Sequence, residues 1–123
     1  MITGIQNVHY YVENMDRSVA FYIAAFGAEL IHEEATWSTL KLHGLTLGLH
    51  GNDNRPIPRT PLAERGVNVG GTLALQSNDI ATDRARLEKL GAVIIRETKA
   101  EWGHVLVFED LDGHVLNLVK STF

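Results

Sequence analysis

A chain of 123 residues, 45% hydrophobic and 21% charged, has the size and balance of one globular domain with a core of its own. It has no cysteine, which excludes disulfides and thiolate metal sites, and a net charge of −4 with dispersed basic residues, so no nucleic-acid partner is expected. The longest apolar stretches, such as Val105–Phe108 and Leu45–Leu49, are strand-sized against the ~20 residues that cross a bilayer, and Met1–Ile5 lacks the pattern of an export signal, so no membrane partner and a cytoplasmic location are expected.

The first predicted element is a strand over Ile5–Val12. A helix follows, opened by Asn14, whose side chain suits the first-turn amides, and closed by Gly27, suited to a left-handed end. Met15, Val19, Tyr22 and Phe26 fall on one stripe of it, which is expected to pack on a sheet. Three strands come next, Glu29–Glu34, Trp37–His43 and Leu45–His50, the last two joined through Gly44. Residues 51–69 hold Pro56, Pro58 and Pro61 and read as an irregular crossover, long enough to be a lid as well as a link. Its Arg55, Arg59 and Arg65 could meet an anionic substrate, but Asp53 and Glu64 balance them as in a solvated loop.

The pattern then repeats. A strand over Gly71–Ser77 precedes a helix capped by Asn78 or Asp79, with Ile80, Leu87 and Leu90 on its apolar side and Gly91 at its end. Strands follow at Val93–Glu97, His104–Phe108 and His114–Lys120, with Asp112-Gly113 in the last turn. Both halves read β-α-β-β-β, and one repeat at about 64 residues is a duplication. The chain is therefore expected to be one α+β domain over 1–123, with module one at about 1–50, the crossover at about 51–69 and module two at about 70–123.

The run from Asn7 to Tyr22 with Phe26-Gly27, and the run Phe108-Glu-Asp-Leu-Asp-Gly-His-Val-Leu-Asn117, resemble the opening and the terminal hairpin of the vicinal-oxygen-chelate superfamily, the glyoxalase/bleomycin-resistance/dioxygenase type. Leu111 stands where that hairpin usually has proline. The resemblance implies paired βαβββ modules forming a cupped mixed sheet with helices outside, a pocket on its concave face, and frequent dimers. It does not choose among lyases, dioxygenases, thiol transferases and drug-binding proteins. Metal-using members hold a divalent ion with His and Glu from four strands, and those positions map onto Asn7, Gly48, Thr72 and Asn117. Amides and hydroxyls are poor ligands for such ions, so no metal and no cofactor is expected there.

By strand alternation His9 shares the face of Asn7, and His50 that of Gly48. Three roles are open to the pair: a displaced metal site, proton transfer, or polar wall residues. The equivalent places in the second half, Ala74 and Val119, offer nothing. Tyr11 shares the face and is an anchoring hydroxyl or plain lining; Trp37 and Trp102 start corresponding strands, as an aromatic clamp or as strand-end packing. His114 reads as structural, and His32, His43 and His104 show no partner. The expected function is binding of a small apolar or aromatic molecule by a homodimer of the bleomycin-resistance type, in a pocket lined by Asn7, His9, Tyr11, His50, Thr72 and Asn117, with Trp37 and Trp102 beside it. The rival is an enzyme of lyase, isomerase or dioxygenase-like type. It uses His9 and His50, with Tyr11 a further candidate, as a metal-free acid–base pair, or it holds a displaced ion.

Overall fold

A computed structural model describes residues 1–59 and 70–121. Pro61, Glu64 and Arg65 of the expected crossover lie outside the described residues. The chain forms two compact units, Met1–Ile57 and Pro58–Phe123, each a βαβββ module.

The first unit contains β1 (Val8–Val12), α1 (Met15–Phe26), β2 (Glu29–Glu33), β3 (Trp37–Leu42) and β4 (Leu45–Gly51). Its sheet has the order β1-β4-β3-β2, with β1 parallel to β4 and the other pairs antiparallel. The second unit repeats this with β5 (Leu73–Gln76), α2 (Ile80–Lys89), β6 (Val93–Ala100), β7 (Gly103–Glu109) and β8 (Val115–Ser121), in the order β5-β8-β7-β6. The element pattern is the predicted one; the ends move. β1 begins at Val8, not Ile5, because its pairing with β4 starts at Val8 opposite Leu47, and Ile2 and Ile5 are exposed. The β6–β7 ladder runs past Glu97 and His104 to Ala100 opposite Gly103.

Asn14 is extended (φ −122°), and its side-chain oxygen accepts from Arg17 N at 3.0 Å; Gly27 ends α1 with φ 70°. The cap satisfies one amide that the helix cannot. Asn14→Ala is therefore expected to cost about 1 kcal/mol, read as a lower urea midpoint at unchanged slope. Met15, Ser18, Val19, Phe21, Tyr22 and Ala25 are buried, a wider stripe than the four expected positions; Phe26 is only half-buried. A helix lying on a sheet covers more than one line of side chains. Beneath it Val12, Leu40, Leu42, Leu47 and Leu49 are shut from solvent, while the second core gathers Ile80, Leu87, Leu106, Phe108, Leu116 and Leu118.

Two turns complete the frame. His43 (φ 50°) and Gly44 (φ 88°) form the two-residue link between β3 and β4, with both residues left-handed as a tight hairpin requires. The His43 ring Nε2 donates to Phe26 O at 3.2 Å, on the last turn of α1. Between β7 and β8, Asp110 Oδ1 accepts from Asp112 N and His114 N, both at 2.9 Å, so the turn holds its shape with Leu111 in place of proline.

Beside α2, Arg84 Nη1 donates to Glu97 Oε1 at 2.7 Å, and His104 Nε2 lies 2.9 Å from Glu97 Oε2. These bonds, Arg84's first, hold the Glu97 carboxyl below its ordinary value of 4.5. A carboxyl lowered on folding stabilises fully above its unfolded pKa, and that contribution is lost as pH falls through the folded one. Glu97→Gln should thus lower the urea midpoint at neutral pH, and the gap to wild type should close as pH drops below 4.5.

Candidate functional site

Tyr10 stacks on Tyr22 of α1 (centroids 6.5 Å apart), which turns one face of the first sheet to its helix. Alternation then places His9 and Tyr11 of β1, Gly48 and His50 of β4, and Trp37 and Thr39 of β3 on the other face. The parallel register sets His9 opposite Gly48 and Tyr11 opposite His50, and Trp37 pairs with His50 from the far side. Tyr11 and His50 stack at 4.3 Å; Trp37 meets His9 at 5.5 Å and His50 at 6.0 Å. Four rings thus share one patch. His9 is exposed, Tyr11 is 45% exposed, and His50 and Trp37 are half-buried.

Both imidazoles are held at the same ring atom. His9 Nδ1 donates to Asn7 Oδ1 at 2.9 Å, and His50 Nδ1 donates to Gly51 O at 2.8 Å. Binding a carbonyl oxygen at Nδ1 fixes the tautomer, so the lone pair sits on Nε2. Neither Nε2 bonds to another of the described residues. Each is thereby presented as a proton acceptor. Asn7, expected to contact ligand directly, is the residue that orients His9.

Trp37 lies across β4. Its Nε1 donates to Thr39 Oγ1 at 2.9 Å, and its six-membered ring extends over Gly48, where an added Cβ would lie 2.2 Å from Cη2 and 2.3 Å from Cζ2. Glycine in mid-strand was the one sequence signal of this close approach. Lys41, on the same face, donates from Nζ to Thr46 Oγ1 at 2.7 Å; sequence reasoning passed over it. The other three expected site residues belong to the second unit. Asn117 is half-buried on β8, paired with Ala74 and Val107; Thr72 is exposed just ahead of β5; Trp102 stands 45% exposed in the β6–β7 turn. Two concavities, of about 440 and 540 Å³, lie by Asp16 and Glu33 and by Ser77 and Asp83, and contain none of the expected site residues.

Three other histidines have partners that the sequence did not show: His32 bonds Glu34 at 2.8 Å, His43 the end of α1, and His104 Glu97.

The donor set can be tested against a divalent ion. Asn7 is engaged with His9, Gly48 has no side chain and lies under the indole, and Thr72 and Asn117 offer a hydroxyl and an amide. Among the described residues no group of three or more His, Asp or Glu could hold a metal. These residues do not fit a transition-metal centre, which needs imidazole, carboxylate or thiolate ligands.

Comparison with known proteins places the chain. It is 30% identical over 120 residues to metallothiol transferase FosB of Staphylococcus epidermidis, covering 96% of this chain and 84% of that protein. FosB of Staphylococcus haemolyticus is 27% identical over 118 residues, with the same coverage. Among solved structures, the fosfomycin resistance protein FosX of Listeria monocytogenes in its tetragonal form matches with a TM-score of 0.78 at 21% identity, covering 100% of this chain and 94% of that one. A glyoxylase/bleomycin resistance protein/dioxygenase domain from Frankia sp. EAN1pec matches with a TM-score of 0.71 at 21% identity, over 98% and 93%. The expectation of a bleomycin-resistance-type protein that binds without metal or chemistry is corrected here: the relatives matched along nearly the whole chain are named as metallothiol transferases, which are enzymes. Absent metal ligands do not by themselves exclude chemistry, since an imidazole pair can move protons, as the rival expectation had it. The sequence profile of the glyoxalase/bleomycin resistance protein/dioxygenase superfamily matches residues 4–118, and the chain belongs to that superfamily.

Proposed function

We propose that this chain is an enzyme of its superfamily that moves protons on a small molecule, in a lyase or isomerase type of step, with His9 and His50 as the acid–base pair. One observation carries the reading: both rings are anchored at Nδ1 to a carbonyl oxygen and present an Nε2 without a partner among the described residues, on one face of one sheet. A general base needs this combination of fixed tautomer, fixed orientation and a free lone pair. The curated relatives support an enzyme, and a mutant of FosX from Listeria monocytogenes, complexed with Mn(II) and 1S,2S-dihydroxypropylphosphonic acid, supports a small-molecule site in this fold. In this reading Tyr11 and Trp37 give an apolar or aromatic part of the substrate a flat surface. No step is routed through a metal, because the donor set does not fit one.

The test is a turnover screen with and without a chelator. Epoxides and aldehydes are offered with a thiol or water, and single prochiral substrates are followed for loss of a C–H proton into deuterated water. Activity is expected that survives chelation and is lost in His9→Gln and His50→Gln. Activity that disappears with the chelator and returns only with a metal would overturn the reading. The single-domain arrangement, the cytoplasmic location and the homodimer belong to the same proposal. Ile2 and Ile5 are 96% and 87% exposed, apolar surface that a second copy would cover. Light scattering should give twice 13.6 kDa; a mass of 13.6 kDa argues against the dimer.

A further inference from the structure

We infer that Trp37 is a positioning residue that divides the two histidines, holding them as separate bases and preventing them from closing together on one cation. The inference rests on the acid–base reading above only for the role of the two rings; the division itself is geometric.

The indole contacts both imidazoles, His9 at 5.5 Å with planes inclined 61°, and His50 at 6.0 Å with planes inclined 88°. It cannot swing aside freely, since its Nε1 is tied to Thr39 Oγ1 on its own strand. The space it fills exists because residue 48 is glycine: a Cβ there would meet the ring at 2.2 Å and the His9 Cβ at 3.0 Å. Trp37 and Gly48 are therefore an interlocked pair, and the ring lies over the β4 position that faces His9 across the ladder and stands two residues before His50. Without the indole, two imidazoles remain on adjacent parallel strands, both with Nδ1 bonded to oxygen and Nε2 free. That is how metal-binding histidines are held from behind. Tyr11 also touches both rings, at 6.2 Å and 4.3 Å, and stays in place when the indole is removed, so the part assigned to the tryptophan is the ring that lies over Gly48.

The experiment titrates Ni²⁺ and Zn²⁺ into the whole purified chain by calorimetry, in wild type, Trp37→Ala and Trp37→Phe. Phenylalanine lacks the outer ring that covers Gly48 yet fills part of the volume, so it guards against a misfolded alanine variant. The expected result is binding at least ~10-fold tighter in the Trp37 variants than in wild type, lost again when His50→Ala is added. Two results overturn the inference: neither variant binds tighter than wild type, or wild type itself binds one ion per chain through His9 and His50. No substrate is needed, so the outcome is separate from the turnover screen. An inactive protein whose Trp37→Phe variant gains a His-dependent ion supports the division and removes the enzyme reading; an active one without that gain does the reverse.

Discussion

Substituting His50 by glutamine is expected to lower turnover by ~10² to 10⁴, while leaving the apparent affinity for substrate nearly unchanged. Glutamine keeps a planar polar group of similar reach, so contacts made by bulk and hydrogen bonding survive, whereas the basic ring nitrogen is lost. The lower bound corresponds to about 2.7 kcal/mol of transition-state stabilisation. His50 is the better-held ring, with its Nδ1 on a backbone oxygen at 2.8 Å and its face stacked on Tyr11 at 4.3 Å. His9 depends on the Asn7 side chain, so Asn7→Ala should weaken catalysis less than His9→Gln does. If the two rings act as one acid–base unit, the double variant falls little further than the worse single one. Steady-state measurement of kcat and KM decides it. A loss under about tenfold in both single variants would remove the role assigned to the imidazoles.

Phe108→Ala carries the largest expected cost to stability, about 3 to 5 kcal/mol. The ring is fully buried on β7, whose neighbours in the sheet are β6 on one side and β8 on the other. It pairs with Ile94 across one ladder and Leu116 across the other, and both ladders hold the backbone in place. A cavity in such a strand cannot close by backbone movement, so lost burial and lost contacts add. Measured against the ~5–15 kcal/mol that holds a typical domain folded, the change should lower the melting temperature by more than ~10 °C. Trp102→Ala, at a ring 45% exposed in a turn, serves as the control and should cost much less. A Phe108 variant that melts within a few degrees of wild type would contradict the core assignment.

Much of the fold was legible because its signals are local. Asn14 and Gly27 bracket α1 through bonds and backbone angles set within a few residues, and Asp79 does the same at the start of α2. Strand ends were less legible. Where β1 begins depends on where β4 offers a partner, and the β6–β7 ladder continues past Glu97 because its two strands keep pairing. The partners of His32, His43 and His104 were hidden for different reasons. His43 reaches back 17 residues to the end of α1, and His104 joins an acid seven positions away across a hairpin. For His32, both Glu33 and Glu34 follow within two residues, and the bond goes to Glu34.

By itself the sequence determined the duplicated βαβββ pattern, the helix caps, and the sharing of one sheet face by His9, Tyr11 and His50, since period-two alternation and capping chemistry are properties of short segments. The resemblance added the expectation that the four customary ligand positions fall on Asn7, Gly48, Thr72 and Asn117, none of them an imidazole or carboxylate. Only the tertiary structure decided what that face does with its residues: that Asn7 serves His9, that a backbone oxygen orients His50, and that Trp37 crosses from β3 to lie over Gly48. The first two are bonds between near neighbours that side-chain rotamers decide, and the third is a contact between strands whose register no local pattern specifies.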